Sequence, residues 1–257
     1  MTEPTVSATP EPRLSVVVPV KDEIDNVGPL ISEICAALRG LVGFEIVYVD
    51  DGSSDGTTEK LQALTQEVPE LRVYRHRVCC GQSAAIWTGV KRARGQLIAT
   101  LDGDGQNDPA DIPKLLERYD AEGGGDALLI AGWRTTRKDT SIRRFSSKLA
   151  NGIRSGLLRD ATPDTGCGLK VYSREAFLTL PRFDHMHRFM PALMMRLGGR
   201  VISVPVNHRP RERGTSKYGV WNRLWVGIVD LFGVSWLIAR GSKPQVEDIP
   251  GPDGRTS

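Results

Sequence analysis

The chain has 257 residues, of which 40% are hydrophobic and 25% are charged, and its formal net charge at pH 7 is +3. A chain of this length and composition can bury a full core as one large domain, or as one domain with a small appendage. The charge is too small to indicate a nucleic-acid partner, so any function of the basic residues must come from local clusters.

The first half of the chain alternates between predicted strands and helices. Residues 1–12 are predicted to be a disordered leader, because they lack the basic and apolar stretches of a signal peptide. Apolar, β-branched runs predict buried strands at 14–18, 44–49, 71–74, 97–101 and 127–131. Helices are predicted at 27–38, 83–94 and 109–119, and after Ser54 or Asp55, either of which can cap a helix. The alternation predicts an α/β fold with a mostly parallel sheet and helices on both faces.

The most informative segment is 97–109, in which an apolar strand ends at Asp102 and Asp104 and is followed by Gln106 and Asp108. Hard divalent cations such as Mg²⁺ and Mn²⁺ prefer oxygen ligands and often combine one or two protein carboxylates with substrate phosphates. The segment therefore predicts a metal held over a diphosphate. A solvated acidic turn is equally consistent with these residues taken alone.

Other polar residues also follow predicted strands. Ligands of mostly parallel sheets bind beyond the carboxyl ends of the strands. Pro19, Asp50 and Asp51 stand at such ends. We therefore expect them to meet Asp102 and Asp104 in one crevice.

Two basic clusters occur in the second half of the chain. One extends from Arg134 to Arg159 and is opposed only by Asp139, and the other extends from Arg209 to Lys217 and is opposed only by Glu212. Such runs are usually solvated helix faces. Arginine is also the side chain best suited to bidentate contact with phosphate, so two clusters beside a metal crevice favour an anionic ligand.

Residues 221–240 are predicted to form an amphipathic helix. Its apolar part is too short to span a bilayer and contains Asp230, so we expect it to lie on or dip into a membrane interface. Packing on the protein's own core is the alternative. Residues 241–257 are predicted to be a disordered tail. The predicted apolar side of the helix consists of Trp221, Trp225, Ile228, Phe232, Trp236 and Ala239.

The four cysteines indicate a reducing environment. Cys35, Cys79, Cys80 and Cys167 show no CxxC spacing, and the adjacent Cys79 and Cys80 are poorly placed to bridge each other. Reduced thiols in the cytoplasm are the expected state.

Several short motifs occur in order along residues 13–220. They are VVVPVKDE (16–23), VDDGSSDGT (49–57), GQSAA (81–85), LDGDGQNDP (101–109), the region of Arg134 and Arg143, DTGCGLKVYSRE (164–175), HRFMPAL (187–193) and RERGTSKYG (211–219). In combination they resemble the family 2 glycosyltransferases of GT-A fold, and within them the dolichyl-phosphate mannose synthase group and its bacterial polyprenyl-phosphate relatives. The resemblance implies a Rossmann-like GT-A domain at 13–220.

Position by position, the resemblance also implies sets of site residues. Those that bind the nucleotide-sugar donor would be Pro19, Val20, Glu23, Asp50, Asp51, Gln82, Asp102, Gly103 and Asp104, with Asp50 or Asp51 reading the base. Those that hold Mg²⁺ or Mn²⁺ would be Asp102, Asp104 and Gln106. Those that hold the acceptor phosphate would be Arg134, Arg143, Arg144, Ser147, Arg211, Arg213, Ser216 and Lys217. The catalytic set would be Asp102, Asp104, Arg134, Arg143 and Asp164, the last as a base or a carboxylate that orients the sugar.

The chain departs from the family pattern at two places. Lys21 and Asp22 stand where relatives often carry Tyr-Asn, and Val78, Cys79 and Cys80 stand where a relative usually has an asparagine. The first change affects the region expected to stack on the nucleotide.

The resemblance implies an inverting enzyme that moves a hexose, with mannose as the first expectation, from a GDP- or UDP-sugar to a dolichyl or undecaprenyl phosphate. A phosphate monoester is already largely anionic at neutral pH, with a second pKa of about 6, so its attack needs no strong base. We expect a peripheral or shallowly embedded enzyme at the cytoplasmic face of the membrane, a location that is compatible with an integral membrane partner. The alternatives are transfer to a hydroxyl acceptor in surface polysaccharide synthesis, and a non-catalytic nucleotide-sugar-binding membrane adaptor.

Overall fold

The structure of the chain is a computed structural model. It describes residues 11–125, 127–134, 156–158, 162–210 and 220–242, without the side chains of 220–226. The strands are β1 (Leu14–Val20), β2 (Phe44–Asp50), β3 (Leu71–Arg75), β4 (Leu97–Thr100), β5 (Leu128–Arg134), β6 (Lys170–Ser173) and β7 (Arg200–Val206). The helices are α1 (Ile24–Leu38), α2 (Thr57–Leu64), α3 (Gln82–Arg92), α4 (Ile112–Ala121), α5 (Arg174–Leu178), α6 (Met190–Arg196) and α7 (Val220–Ala239), with short 3-10 turns at Pro109–Asp111 and Met186–Arg188.

The strands form one seven-stranded sheet in the order β3-β2-β1-β4-β6-β5-β7. β1 pairs in parallel with β2 and β4, β2 with β3, and β5 with β7. β6 runs antiparallel to both of its neighbours, β4 and β5. The carboxyl ends of β1 to β4 consequently meet at one edge of the sheet, where the loops to the following helices begin.

Helices cover both faces of the sheet and create two apolar cores. Val16 and Val18 of β1 lie in the core formed with α1 and α4, whereas Val17 lies in the core formed with α3, α5 and α6. A strand that is buried on both faces gives a continuous apolar run rather than an alternating one. This explains the unbroken run of valines in β1.

The predicted alternation of strands and helices is confirmed from β1 to β5, with ends that differ by a few residues. At the start of α2, Asp55 accepts the backbone N–H of Thr57 at 3.0 Å, while Ser54 donates instead to Asp22. The sequence patterns do not predict β6 or β7. β6 has only four residues and begins with a buried lysine, Lys170, so its apolar signal is weak.

The C-terminal helix α7 presents one side to the protein and another to solvent. Leu231, Val234 and Ile238 pack against the core formed with α3, α5 and α6. Phe232 and Trp236, from the predicted apolar side, are exposed rather than packed on that core. Within the part of the chain that the structure describes, no helix has both the length and the apolar character needed to cross a bilayer.

Candidate active site

The turn after β4 carries Asp102, Gly103 and Asp104 and lies directly against the end of β1. A Cβ atom on Gly103 would lie 2.3 Å from Val20 Cγ1 and 2.9 Å from the carbonyl oxygen of Pro19. Only a residue without a side chain allows this approach. The structure therefore places the two acidic residues beside Pro19 and Val20, at the carboxyl edge of the sheet.

Asp102 is held by contacts from three separate segments. Gln82, the first residue of α3, donates from Nε2 to Asp102 Oδ1 at 2.8 Å, and the backbone N–H of Asp102 donates to Asn107 Oδ1 at 3.1 Å. Gly168 approaches from the other side, because a Cβ there would lie 2.3 Å from Asp102 Oδ2. Burial and the neighbouring Asp104 carboxylate raise the pKa of Asp102. A bound cation would offset both effects by stabilising the charged form.

Asp104 and Gln106 belong to the same turn and are tied to the segment after β7. The backbone N–H of Gln106 donates to Asp104 Oδ1 at 3.1 Å, and Gln106 Nε2 donates to the carbonyl oxygen of Arg209 at 3.4 Å. Arg209 itself forms ion pairs of 2.7 Å with Glu33 and with Asp108. The segment after β7, which carries the start of the second basic cluster, is therefore anchored beside this turn.

The donor atoms of the turn suit a hard divalent cation. Asp102, Asp104 and Gln106 supply two carboxylates and an amide oxygen, which are the ligand types that Mg²⁺ and Mn²⁺ prefer. An amide oxygen adds coordination without adding negative charge next to a diphosphate. The residues present thus fit the metal that the sequence predicts.

The carboxylates of Asp50 and Asp51 both accept hydrogen bonds from groups of the protein itself. Asp50 is fully buried and accepts hydrogen bonds from the backbone and hydroxyl of Ser53 and from Thr58 Oγ1. Asp51 accepts hydrogen bonds from the loop before α3, which outweigh its burial and lower its pKa. Contact of either residue with a nucleotide base stays a prediction, and for Asp50 it would require the turn at Ser53 to open.

Glu23, which the resemblance assigns to the donor, lies at the start of α1. Its Oε2 accepts from Asn26 Nδ2 at 2.6 Å, and its backbone N–H donates to Thr57 Oγ1 at 3.0 Å. These contacts tie the loop after β1 to the start of α2. A direct role of Glu23 in donor binding stays a prediction.

Arg134 and Asp164, both expected at the site, form a bidentate ion pair. Arg134 Nε donates to Asp164 Oδ2 at 2.6 Å and Nη2 donates to Oδ1 at 2.8 Å. Only 12% of the Arg134 side chain and 8% of the Asp164 side chain are exposed. Asp164 is therefore neutralised by a fixed cation, an arrangement that suits a positioning carboxylate better than a base.

The comparisons with known proteins agree with this geometry. Residues 15–180 match the family model described as "Glycosyl transferase family 2". The chain belongs to glycosyl transferase family 2.

Among curated proteins, the family 2 chain is 36% identical over 236 residues to a dodecaprenyl-phosphate galacturonate synthase of Rhizobium johnstonii, covering 90% of this chain and 69% of that protein. It is also 36% identical over 210 residues to an undecaprenyl-phosphate 4-deoxy-4-formamido-L-arabinose transferase of Edwardsiella ictaluri, covering 80% of this chain and 63% of that protein. The chain thus spans about two thirds of the length of each.

Solved structures of glycosyltransferases share the fold. A mannosyltransferase from Pyrobaculum calidifontis, in complex with GDP-Man and Mn²⁺, aligns with a TM-score of 0.65 at 20% identity, covering 91% of this chain and 66% of that one. Glucosyl-3-phosphoglycerate synthase from Mycobacterium tuberculosis, in complex with Mn²⁺ and UDP, aligns with a TM-score of 0.63 at 19% identity. The alignment covers 92% of this chain and 82% of the synthase. The predicted family and the predicted GT-A fold are both confirmed.

A cavity of about 230 Å³ beside Asp102 contains residues to which the sequence assigns no role. Lys170 and His187 line it. Burial lowers the pKa of Lys170, and burial lowers the pKa of His187 to about 3, so this imidazole is neutral at physiological pH. His187 Nδ1 lies 2.7 Å from the Ser83 hydroxyl oxygen. Both residues belong to the family motifs 164–175 and 187–193, which is the signal that could have marked them.

Much of the predicted acceptor site lies outside the described residues. The acceptor residues that the structure does not describe are Arg143, Arg144, Ser147, Arg211, Arg213, Ser216 and Lys217. The side chains of Trp221 and Trp225, from the predicted amphipathic helix, also lie outside the described part. Of the acceptor set, the structure describes Arg134.

Proposed function

We propose that the chain is a metal-dependent glycosyltransferase that moves a sugar from a nucleoside-diphosphate sugar to a polyprenyl phosphate at a membrane surface. The observation that carries the proposal is the turn of Asp102, Gly103 and Asp104 seated on the end of β1. Ligands of such sheets bind beyond the carboxyl ends of the strands, so two carboxylates at this position support a cation site over a diphosphate. The printed names of the curated relatives support a polyprenyl-phosphate acceptor.

The chemistry requires little beyond positioning and charge. A bound Mg²⁺ or Mn²⁺ would stabilise the departing diphosphate. The acceptor phosphate is an anion at neutral pH, with a second pKa of about 6, so no strong base is needed. A guanidinium has more N–H donors than the two that Arg134 uses on Asp164, which would allow Arg134 to contact a phosphate as well. Direct attack at the anomeric carbon would invert its configuration.

For the sugar, we propose a hexuronate as the first donor to test, with mannose as the second. The Rhizobium johnstonii relative, which is 36% identical over 90% of this chain, is named for galacturonate, while the mannosyltransferase of similar fold shares 20% identity. Lys170, whose side chain is buried, and Arg188 line the cavity beside Asp102. The guanidinium of Arg188 favours a sugar that carries a carboxylate.

The exposed side of α7 supports attachment to a membrane. Val229, Phe232 and Trp236 form an apolar strip on this side, with exposed fractions of 68%, 64% and 61%. Asp230 is turned toward the protein, where its Oδ2 lies 3.1 Å from His185 Nδ1. Aromatic residues on an exposed helix face favour the membrane interface. We propose that the protein lies at the cytoplasmic face of the membrane, where the nucleotide sugar would be available.

The proposal is tested by incubating the protein with vesicles that contain undecaprenyl phosphate, Mn²⁺ and radiolabelled nucleotide sugars. Label should enter a lipid fraction that mild acid releases, and removal of the metal with EDTA should abolish this transfer. Asp102→Asn should lower turnover by at least about 100-fold, because it removes a charged ligand of the diphosphate-bound cation. Glu117→Gln, on the exposed side of α4, is the matched control and should leave turnover unchanged.

Two outcomes would reject the proposal in favour of the alternatives. Label that appears only in polymer would indicate a hydroxyl acceptor and polysaccharide synthesis. Tight nucleotide binding without turnover of any nucleotide sugar would indicate a non-catalytic adaptor.

A further inference from the structure

A second group of metal-ligating side chains lies away from the Asp102 turn. One ligand atom from each of Asp51, His76 and Cys80 falls within 4.8 Å of the other two. Asp51 follows β2 and His76 follows β3, whereas Asp102 follows β4 on the far side of β1. Because neighbouring strands are about 4.8 Å apart, β2 and β4 are separated by about 10 Å across the sheet.

The Asp51 carboxylate is fixed by the backbone and approached by two groups that a cation can replace. The backbone N–H groups of Cys80 and Gly81 donate to its two oxygens at 2.8 and 2.7 Å. His76 Nδ1 lies 2.7 Å from Oδ1, and the Cys79 thiol lies 3.2 Å from Oδ2. The backbone donors can keep the carboxylate in place while a cation takes over the contacts of the imidazole and the thiol.

His76 has the outer contact that a metal-binding imidazole needs. Its Nε2 lies 2.9 Å from the hydroxyl oxygen of Thr88, on α3. When Nε2–H donates to that hydroxyl, Nδ1 is left unprotonated and directed at the same space as Asp51. Metal-bound histidines commonly have their second nitrogen held in this way.

The ligand types distinguish this group from the Asp102 turn. Thiolate and imidazole ligands select Zn²⁺ and similar borderline-soft ions over Mg²⁺ and Mn²⁺. Cys79 and Cys80 are exposed, so an ion can enter from solvent. The loop continues into Gln82, which donates to Asp102, so an ion in the group would also restrict the segment that positions that carboxylate.

We propose that Asp51, His76 and Cys80 form a second cation site, separate from the Asp102 turn, that binds Zn²⁺ or a related thiophilic divalent ion. The site uses Cys80, one of the two adjacent exposed cysteines before α3. It does not depend on the proposed function. An ion bound there and a nucleotide base would compete for the Asp51 carboxylate.

Co²⁺ titration of the reduced full-length protein tests the proposal, because Co²⁺ bound to thiolate gives a charge-transfer absorption that oxygen ligands do not give. One equivalent of Co²⁺ should produce this band, and Zn²⁺ should displace it. Cys80→Ser and His76→Gln should each weaken the band by at least about tenfold, as loss of one ligand or its support does at other sites. Asp104→Asn and Cys35→Ser, the latter changing a buried cysteine of α1, should retain it.

The parent protein provides a result that does not depend on how the variants fold. Absence of a thiolate band at stoichiometric Co²⁺ would overturn the proposal. A band that survives in Cys80→Ser, with the circular dichroism spectrum unchanged, would overturn it as well.

Discussion

Glu45 shows how one buried charge is stabilised at the base of the sheet. Only 1% of its side chain is exposed, and it accepts hydrogen bonds from Ser15 Oγ at 2.7 Å, Arg72 Nη1 at 2.8 Å and the Arg94 backbone N–H at 2.6 Å. Burial by itself would raise the pKa of Glu45, but these hydrogen bonds outweigh it and lower the pKa below its ordinary value of 4.5. Arg72 and Arg94 together join β2, β3 and the segment after α3.

We expect Glu45→Gln to reduce the free energy of unfolding at pH 7 by about 2 kcal/mol, because it leaves donors and two arginines without a charged acceptor. The folded-state pKa is lower than the unfolded one, so the charged form contributes stability above pH 4.5 and loses it as the pH falls through the folded pKa. The difference between parent and variant should therefore shrink in acid. Urea unfolding between pH 3 and 7 measures it, with Glu117→Gln as control, and a difference independent of pH would contradict this account.

At the level of single residues, the sequence predicts the location of the site better than it predicts contacts. Asp102 and Asp104 could be placed beside Pro19 because strand ends and glycine-rich turns are local features. The sequence could not predict the burial of Asp50 or the pairing of Arg134 with Asp164, because each depends on partners from distant segments.

At the level of elements, the loop before β6 acts as a support for the end of β4. Thr100 Oγ1 donates to the carbonyl oxygen of Gly168 at 2.8 Å, and the Gly168 backbone presses against the Asp102 carboxylate. The motif 164–175 therefore has a structural role in holding Asp102, in addition to contributing Asp164.

We predict that Gly168→Ala lowers metal-dependent turnover by about tenfold or more, because its Cβ would overlap Asp102 Oδ2 and move that carboxylate by a fraction of an ångström or more. The half-saturating concentration of Mn²⁺ should rise as well. Gly28→Ala on α1 is the matched control, since its Cβ would have only Lys60 Cε nearby, at 3.9 Å. Unchanged metal dependence in Gly168→Ala would show that the loop does not position Asp102.

Periodicity predicts the elements of the first half because each strand there is a long apolar run followed by an amphipathic helix. The second half gives weaker signals. β7 is an edge strand that contains Pro205, a residue that argues against a strand when it is read in isolation. Its pairing with β5 is a tertiary contact that no local window of sequence contains.

At the level of the whole molecule, the outward side of α7 is the surface that we propose contacts the membrane. We predict that Phe232→Glu combined with Trp236→Glu lowers partitioning onto phosphatidylethanolamine and phosphatidylglycerol vesicles by at least about tenfold, because burial of two large apolar side chains is lost. Sedimentation with vesicles measures this.

Leu41→Glu, which changes an equally exposed leucine after α1, serves as the control and should leave partitioning unaffected. Equal sedimentation of the double variant and the parent would exclude this side of α7 as the membrane contact. Transfer to a short, water-soluble acceptor phosphate should survive in the double variant, because the Asp102 turn, the proposed cation site, is not altered.

The antiparallel strand β6 has a consequence for how the chain is made. β6 pairs with β4 and β5 and joins the two halves of the sheet, yet it is synthesised long after β4. While the ribosome is still translating the intervening segment, β4 presents a row of unsatisfied backbone groups beside strands that can already associate. A stalled or truncated polypeptide lacking Lys170–Ser173 would expose the unpaired edge of β4, to which strands of other nascent chains could bind. Protection by chaperones would matter most during that interval of translation.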